Sequence, residues 1–430
     1  MVSKITQYRF LSIFMFLFFI MGPLSTTQWN KIVVVIIFSL AFITIFFCTL
    51  LSNKNRFWSL AIFSSLFYLC AFIVSLFAIL LTREHLTSDF IDSVIVGRLF
   101  TFVTVLMTVY LLNVWLVASD EKQLNKALKI AFFVLFIFIL LGIWQFIGNL
   151  IGIPFFIETR DWMHGVPSAI RSLAPKRLTS ISEEPNFLSP LLIEYLILIG
   201  LVVVRRSIKY TLYTLGIFVA LFSFSGGVYI NLLLLIFVYG VLSLFRSLMN
   251  GVLNGKDIVF ILSIFIFFVL IIFIGDILLE FIYYKVQGEA AGQSSRSQFL
   301  SSLIQLIADS NFSQLMFGHG MGTMGVLTSF GLPREEFIFR ITNNFYLDML
   351  WEGGFIGLGF IVLFFTSLLF FGLKGYMNNR YIEAGLLLTI HMIITSLYRS
   401  EYLSAHFVWV FTIVLVCYRL GCIKTQRVNR

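Results

Sequence analysis

The chain is expected to be an all-α polytopic integral membrane protein with about 12 transmembrane helices, and three observations predict this. Composition is the first: of 430 residues, 59% are hydrophobic and only 12% are charged, against about 25% charged in ordinary soluble domains. The second is spacing. Apolar runs of about 20 residues recur along the chain, long enough to cross a hydrocarbon core of about 30 Å as helices. Such runs must be helical, because a backbone exposed to lipid has to satisfy its own hydrogen bonds. The third is the distribution of Lys and Arg between alternate loops.

Taken in order, the first run spans Phe10 to about Met21 and follows Lys4 and Arg9. It lacks a convincing small-residue cleavage site and more spans follow at once, so it is expected to be a retained span. Further runs cover about 31–51, 58–81, 94–117 and 128–151, then about 186–204, 210–224, 228–245 and 257–279. The last three cover about 353–373, 381–397 and 402–421, and the 210–224 run is the shortest of the interior set. With the N-terminus inside, the inner segments hold 18 Lys and Arg residues, whereas the short outer loops hold Lys31, Arg83 and Arg399. That bias is what the positive-inside rule expects of short loops. Both termini are therefore expected to be cytoplasmic, and residues 1–430 to form a single transmembrane domain.

Two long polar stretches, about 152–185 and 280–342, then face outward, the second with room for short helices. Loops of this length tend to be lids or binding loops. Each mixes Phe, Trp, Ile and Leu with charge, which is not the composition of a disordered tail.

A formal charge of +9 invites a nucleic-acid reading, but the topological rule already accounts for the cations, so no nucleic-acid partner is expected. Cys48, Cys70, Cys417 and Cys422 lie in or beside apolar runs without CxxC spacing, as buried thiols would. No DxD-type motif occurs in the long loops, so neither a metal nor another cofactor is required.

The outer loops nonetheless carry Arg160, Arg171, Lys176, Arg177, Lys285, Arg296, Arg334 and Arg340. The stretch from Arg171 to Glu194 places three cations and two carboxylates, Glu183 and Glu184, ahead of an apolar run opened by Pro185. Proline suits a first helical turn, where its missing N–H would have been unpaired anyway. Guanidinium forks bind phosphate oxygens in pairs, and a helix N-terminus adds free N–H groups and a positive dipole end. Glu183 or Glu184 would serve as a general base; alternatively both simply favour the helix start and pair with the arginines. Glu194, inside the same run, is either functional by virtue of its depth or a structural partner of Arg98.

Ser223-Phe224-Ser225-Gly226-Gly227 is expected to form a turn or a break with exposed backbone. His319, between two glycines, fits a phosphate donor or proton shuttle more mobile than a core histidine, and packing fits it equally. His391 and His406, inside apolar runs, are expected to be packing residues. Asn343 or Asn344 is placed to cap a short helix that the glycine pair Gly353-Gly354 ends, with Asp348 and Glu352 facing water or loop cations.

These segments together resemble the O-antigen polymerase and ligase superfamily, the Wzy-type repeat-unit polymerases of bacterial surface polysaccharides. The pieces occur in that family's order: Arg177, Ser180 and Glu184-Pro185-Asn186; Ser223 to Gly226; Ser295-Arg296; Gly318-His319-Gly320; and Asn343-Asn344 with Tyr346-Leu347 to Glu352-Gly353-Gly354. Gly226 stands where an arginine is common, and Asn343 where ligases usually carry histidine. The resemblance implies a metal-independent glycosyltransferase of the bacterial cytoplasmic membrane, with its active site facing the periplasm or cell exterior. It further implies polymerisation of undecaprenyl-pyrophosphate-linked oligosaccharides into O-antigen, capsule or exopolysaccharide, with membrane lipid and a chain-length regulator as partners. Mapped here, Arg171, Arg177, Arg296 and Arg340 would hold pyrophosphate, and Glu184, Glu183 or His319 would take the acceptor proton. Arg98, Ser180, Asn186, Glu194 and Asn343 would support them. A ligase, or a polysaccharide transporter or flippase, is the alternative.

Overall fold

The computed structural model describes residues 4–48, 58–80, 94–153, 177–251, 303–324, 342–377, 379–401 and 403–428, with a few positions between 253 and 262. Among these residues the structure is all-helical, without a strand. The elements are α1 (Lys4–Leu24), α2 (Asn30–Cys48), α3 (Ser59–Ala78), α4 (Val96–Ala118), α5 (Glu121–Ile151) and α6 (Pro185–Val202). Then follow α7 (Arg206–Phe222), α8 (Gly226–Met249), α9 (Phe312–Phe317), α10 (Phe345–Gly375), α11 (Arg380–Tyr398) and α12 (Ala405–Val428).

Ten of these helices are long and apolar enough to cross a membrane. Of the twelve expected spans, α7 is an eleventh helix of 17 residues, and the run expected at about 257–279 lies largely outside the described residues. The first expected span is packed into the bundle: Leu11, Phe14, Met15 and Phe18 of α1 are buried in the main core. Large apolar side chains such as Phe46, Phe63, Ile230 and Phe370 remain exposed. In lipid such residues cost nothing, whereas the interior must be held by close packing.

The centre of the bundle is α12, with 83% of its span buried. Small residues on its neighbours let it approach: a Cβ on Gly372 would strike the Tyr418 hydroxyl and one on Gly385 the Tyr418 ring. The Tyr418 hydroxyl donates to the Leu368 carbonyl at 2.9 Å, and the Trp409 indole N–H donates to the Phe19 carbonyl at 3.0 Å. Around it pack α1, α4, α5 and α11, while α10 makes its broadest contact with α3.

Interhelical bonds sort the loops into two ends. At one end Tyr8 bonds Gln123, Lys424 reaches Glu121 at 3.5 Å and Arg246 pairs with Glu383 at 2.9 Å. This end is rich in cations. At the other, the Glu183 N–H donates to Thr26 O, Leu178 N–H to Phe222 O and Met321 N–H to Ser75 O. Because each helix reverses the chain, this second end gathers the two described long-loop remnants with the α7–α8 and α11–α12 turns.

Candidate functional site

The second end contains a chain of buried ionisable groups centred on Glu194. Glu194 lies nine residues beyond Pro185 in α6, about 14 Å along the helix. Its side chain is fully buried. His391 of α11 brings Nε2 to 3.3 Å from Glu194 Oε1, and His406 of α12 brings Nε2 to 3.0 Å from the same atom. The opposite ring nitrogen of His406 lies 2.8 Å from Glu401 Oε2, and Glu401 pairs with Arg399. His391 and His406 are buried and satisfied, as expected of histidines inside apolar runs, but what satisfies them is a carboxylate. An unpaired carboxylate at that depth would cost several kcal/mol.

Local sequence explains how Arg399 docks. Pro190 inside α6 has no N–H, so the carbonyl of Asn186 lacks its usual donor four residues on. Arg399 Nη1 donates to Asn186 O at 3.4 Å and to Phe187 O at 3.3 Å, with its guanidinium 4.2 Å over the Phe187 ring. Burial lowers the Arg399 pKa from its ordinary value, while the charges of Glu401, Glu194 and Glu184 oppose the fall. For Glu401 burial acts upward, but Arg399 and His406 outweigh it and hold the carboxyl below its ordinary range. Glu401 is thus ionised at neutral pH.

The same network continues towards Arg177. The Ser225 hydroxyl donates to Asn186 Oδ1 at 2.9 Å, and Arg177 donates to the carbonyls of Ser223 at 3.2 Å and Phe224 at 2.8 Å. Ser223-Phe224-Ser225 is the tight break between α7 and α8, with Phe224 at φ 46°. Three of the motif segments therefore meet: Arg177, Glu184-Pro185-Asn186 and Ser223–Gly226. Arg177 is half-buried and partly committed to those carbonyls.

Ser180 plays a scaffolding part. It is buried at φ 52°, its hydroxyl donates to Phe138 O at 2.8 Å, and its N–H donates to Gln145 Oε1 at 2.8 Å. Glu184 stands at the N-cap position of α6 without capping it through its side chain. Glu183 and Glu184 are half-buried, and Asn186 is exposed apart from its bonds to Ser225. Of the two readings of Glu194, pairing with Arg98 gives way to the two histidines. Arg98 lies instead beside Gly322, where a Cβ would sit 3.9 Å from its Cγ.

A second buried locus unites the two remaining described motifs. Within α10, Gly354 adopts φ 62° and ψ −163°, which breaks the helical ladder. The carbonyls of Trp351 and Glu352, freed by the break, accept from His319 N–H at 2.7 Å and Gly320 N–H at 3.0 Å. Glu352 Oε1 accepts from Gly322 N–H at 2.8 Å. His319 stacks on Trp351 with ring centroids 4.0 Å apart, and its Nε2 bonds Ser310 Oγ at 2.8 Å.

This packing corrects the view of His319 as a mobile donor between two glycines. The ring is buried, and burial lowers its pKa to about 4, so it is neutral at pH 7. Asp348 and Glu352 are likewise buried rather than facing water. Asp348 Oδ1 accepts from Thr342 N–H at 2.8 Å and from Thr342 Oγ1 at 2.6 Å. The cap of α10 is Asn344, whose Oδ1 accepts from the N–H groups of Tyr346 and Leu347. Asn343 precedes it, half-buried at φ 59°.

Arg171, Arg296 and Arg340 lie outside the described residues. Among the described residues no group of three or more His, Cys, Asp or Glu is arranged to hold a metal ion. Four residues at the Glu194 chain were missed as site members: His391, Arg399, Glu401 and His406. Their signal was visible in part, since histidines inside apolar runs and an Arg-Ser-Glu turn between two spans both demand partners. Their meeting with Glu194 depends on tertiary contacts across about 200 residues, which no local pattern encodes. No family model matches the chain, and no curated protein matches it.

Proposed function

We propose that the chain is a metal-independent membrane glycosyltransferase that joins lipid-pyrophosphate-linked oligosaccharides at the Glu194 end of the bundle. In this reading the cation-rich end is cytoplasmic, as the positive-inside rule requires, and the Glu194 end faces outward. The observation that carries it is the run of polar contacts from Arg177, on the Ser223 and Phe224 carbonyls beside Ser225, through Asn186 and Arg399 to Glu401, His406 and Glu194. It sets carboxylates and imidazoles beside cations at the end of the bundle that the long loops enter. It also brings together three segments on which the family resemblance rests.

The reaction that suits these groups is displacement at a sugar anomeric carbon. The acceptor hydroxyl oxygen forms the new bond, and the bond to the pyrophosphate oxygen breaks, leaving its electron pair on that oxygen. The acceptor proton passes to a carboxylate, either Glu184 at the mouth of α6 or Glu194 below it. Developing charge on the pyrophosphate is met by Arg177, by the N-terminus of α6 and by the loop arginines 171, 296 and 340. A transfer to a different acceptor, as a ligase performs, would use the same groups.

Depth gives a second reading some support. Glu194 and His391 lie well inside their helices, about 10 to 14 Å from the helix ends, and buried ionisable pairs at such depth also mark proton-coupled transporters. One assay separates the readings. Purified protein is mixed with a lipid-pyrophosphate repeat unit and the products are sized. A ladder of lengths is expected; movement of unchanged substrate across vesicles without a ladder overturns the enzyme in favour of transport. Arg177→Lys, which keeps the charge but not the fork, is expected to lower ladder formation at least tenfold with folding intact.

A further inference from the structure

His391 and His406 both contact the Glu194 carboxylate, His391 at Oε1 and His406 across both oxygens, but they differ in what lies behind them. Behind His391, Nδ1 faces Asn231 Nδ2 at 2.9 Å, an amide donor that also reaches Thr395 Oγ1 at 2.9 Å. The amide and the Thr395 hydroxyl close off that side of the ring with neutral groups. This ring holds Glu194 in place and leads nowhere further. Behind His406, Nδ1 faces a second carboxylate, Glu401 Oε2, at 2.8 Å. A ring with a carboxylate at each nitrogen is satisfied as the imidazolium, with one N–H for each.

We infer that Glu194, His406 and Glu401 form a proton relay that connects the buried Glu194 with the outer aqueous face. The inference rests on the glycosyltransferase reading for the source of the proton. Imidazole is the one side chain able to take a proton at one nitrogen and release one from the other near neutral pH. Exposure rises along the chain in the required direction: Glu194 is 0% exposed, His406 2% and Glu401 9%. Glu401 sits in the turn between α11 and α12, at the end of the bundle where the long loops enter. A cavity lined by Glu194, His391, Arg399, Glu401 and His406 runs beside the relay.

The steps balance. Glu194 takes the acceptor's proton and becomes neutral, which removes half of the charge that held the imidazolium. His406 then releases its Nδ1 proton to Glu401, and Glu401 passes it to outer water. When the ring exchanges tautomers, the Glu194 proton moves to it and restores the charged chain. One proton enters at Glu194 for each that leaves at Glu401. The charged and titratable groups facing the relay are Arg399, Tyr398 and His391 of α11 and its end, and Glu184 ahead of α6. Arg399 holds Glu401 ionised between transfers and so keeps it ready to accept.

The test uses full-length protein in liposomes and infrared spectroscopy. The Glu194 acid-form carboxyl band is identified as the one lost in Glu194→Gln, and its proton exchange with the outer buffer is followed as the rise of that band after a drop in pH. His406→Gln and Glu401→Gln are expected to slow exchange at least tenfold, while His391→Gln leaves the rate within twofold. Equal rates in His406→Gln and the parent protein overturn the relay, as does equal slowing in His391→Gln. Glu401→Gln guards against misfolding, because it interrupts the far end without touching Glu194. A parent protein that exchanges through His406 yet makes no glycan ladder sinks the glycosyltransferase reading and leaves the relay. A normal ladder with His406-independent exchange sinks the relay alone.

Discussion

Two buried histidine loci lie at the same end of the bundle, and they differ in what each ring meets. His319 rests on the face of Trp351 with a serine hydroxyl at its edge, and burial there favours the neutral ring. His406 lies between two carboxylates, an environment that stabilises the charged one. Backbone explains the division. The first locus is built on a turn with glycines at positive φ, where the His319 and Gly320 N–H groups donate to carbonyls freed by a break in α10. The second is built from side chains on three intact helices. Glycine motifs at the first therefore specify how one segment lies on another, whereas the second concentrates the groups that can hold and move a proton.

The largest expected effect separates the two loci through Glu194. Glu194→Ala leaves two rings and Arg399 without their central anion, and breaking a buried pair in this way costs about 3–5 kcal/mol. Thermal unfolding in detergent is expected to show that loss, and ladder formation is expected to vanish. Glu194→Gln is expected to recover part of the stability but none of the activity. A stable, active Glu194→Ala variant would reduce the locus to packing.

Next comes the glycine side of the comparison. A Cβ on Gly354 would lie 2.5 Å from Gly318 N and from Met316 C, at a φ of 62°. Backbone cannot give way as a side chain can, so Gly354→Ala is expected to cost about 1–3 kcal/mol. Proteolysis within the 303–324 segment is expected to quicken, because that segment's bonds to Trp351 and Glu352 depend on the break. Unchanged proteolysis and stability would mean the break does not hold the segment.

The pH dependence gives a smaller effect and a test of sign. Burial lowers the His319 pKa from 6.5 to about 4, so protonation favours unfolding. Stability from this group is complete above pH 6.5 and falls as the pH drops from 6.5 towards 4. Glu401 also loses its contribution in acid, but only below its ordinary carboxylate range of 4.5, because its pKa is lowered. His319→Gln is expected to flatten the unfolding profile between pH 6.5 and about 4 while ladder formation stays within twofold. A profile unchanged by the substitution would show that folding does not move the His319 pKa.

Sequence carried the fold far and the site only part of the way. Apolar runs of sufficient length have one physical solution in lipid, so helices such as α2, α3 and α8 were legible. Boundaries were less so. The short helix expected between Asn343 or Asn344 and the glycine pair is present, capped by Asn344 and broken at Gly354, but it runs into the following span as one kinked α10, since glycine permits a break without a turn. At the site, Arg177, Glu184, Asn186 and Glu194 stood out because charge beside an apolar run needs explanation. His391, His406, Arg399 and Glu401 did not, because their partners come from distant helices. His319 was misjudged for a related reason: flanking glycines suggest mobility until a partner for their backbone is known.

The smallest effect tests whether the Arg177 segment and the Glu194 locus form one network. They are joined through the Ser225 hydroxyl, which donates to Asn186 Oδ1 at 2.9 Å while Arg399 holds the Asn186 carbonyl. Ser225→Ala removes that bond and little volume, at a cost of about 1 kcal/mol. If the α7–α8 break positions Arg177 for the same substrate that Glu194 serves, this small loss acts on geometry more than on folding. Ladder formation is expected to fall several-fold with the unfolding temperature lowered by only a few degrees. Ser225→Thr, which keeps the hydroxyl, is expected to retain most of the rate. Equal activity in the alanine and threonine variants would divide the network at Asn186, leaving Arg177 as a cap for the carbonyls of Ser223 and Phe224 and the chemistry to the residues around Glu194.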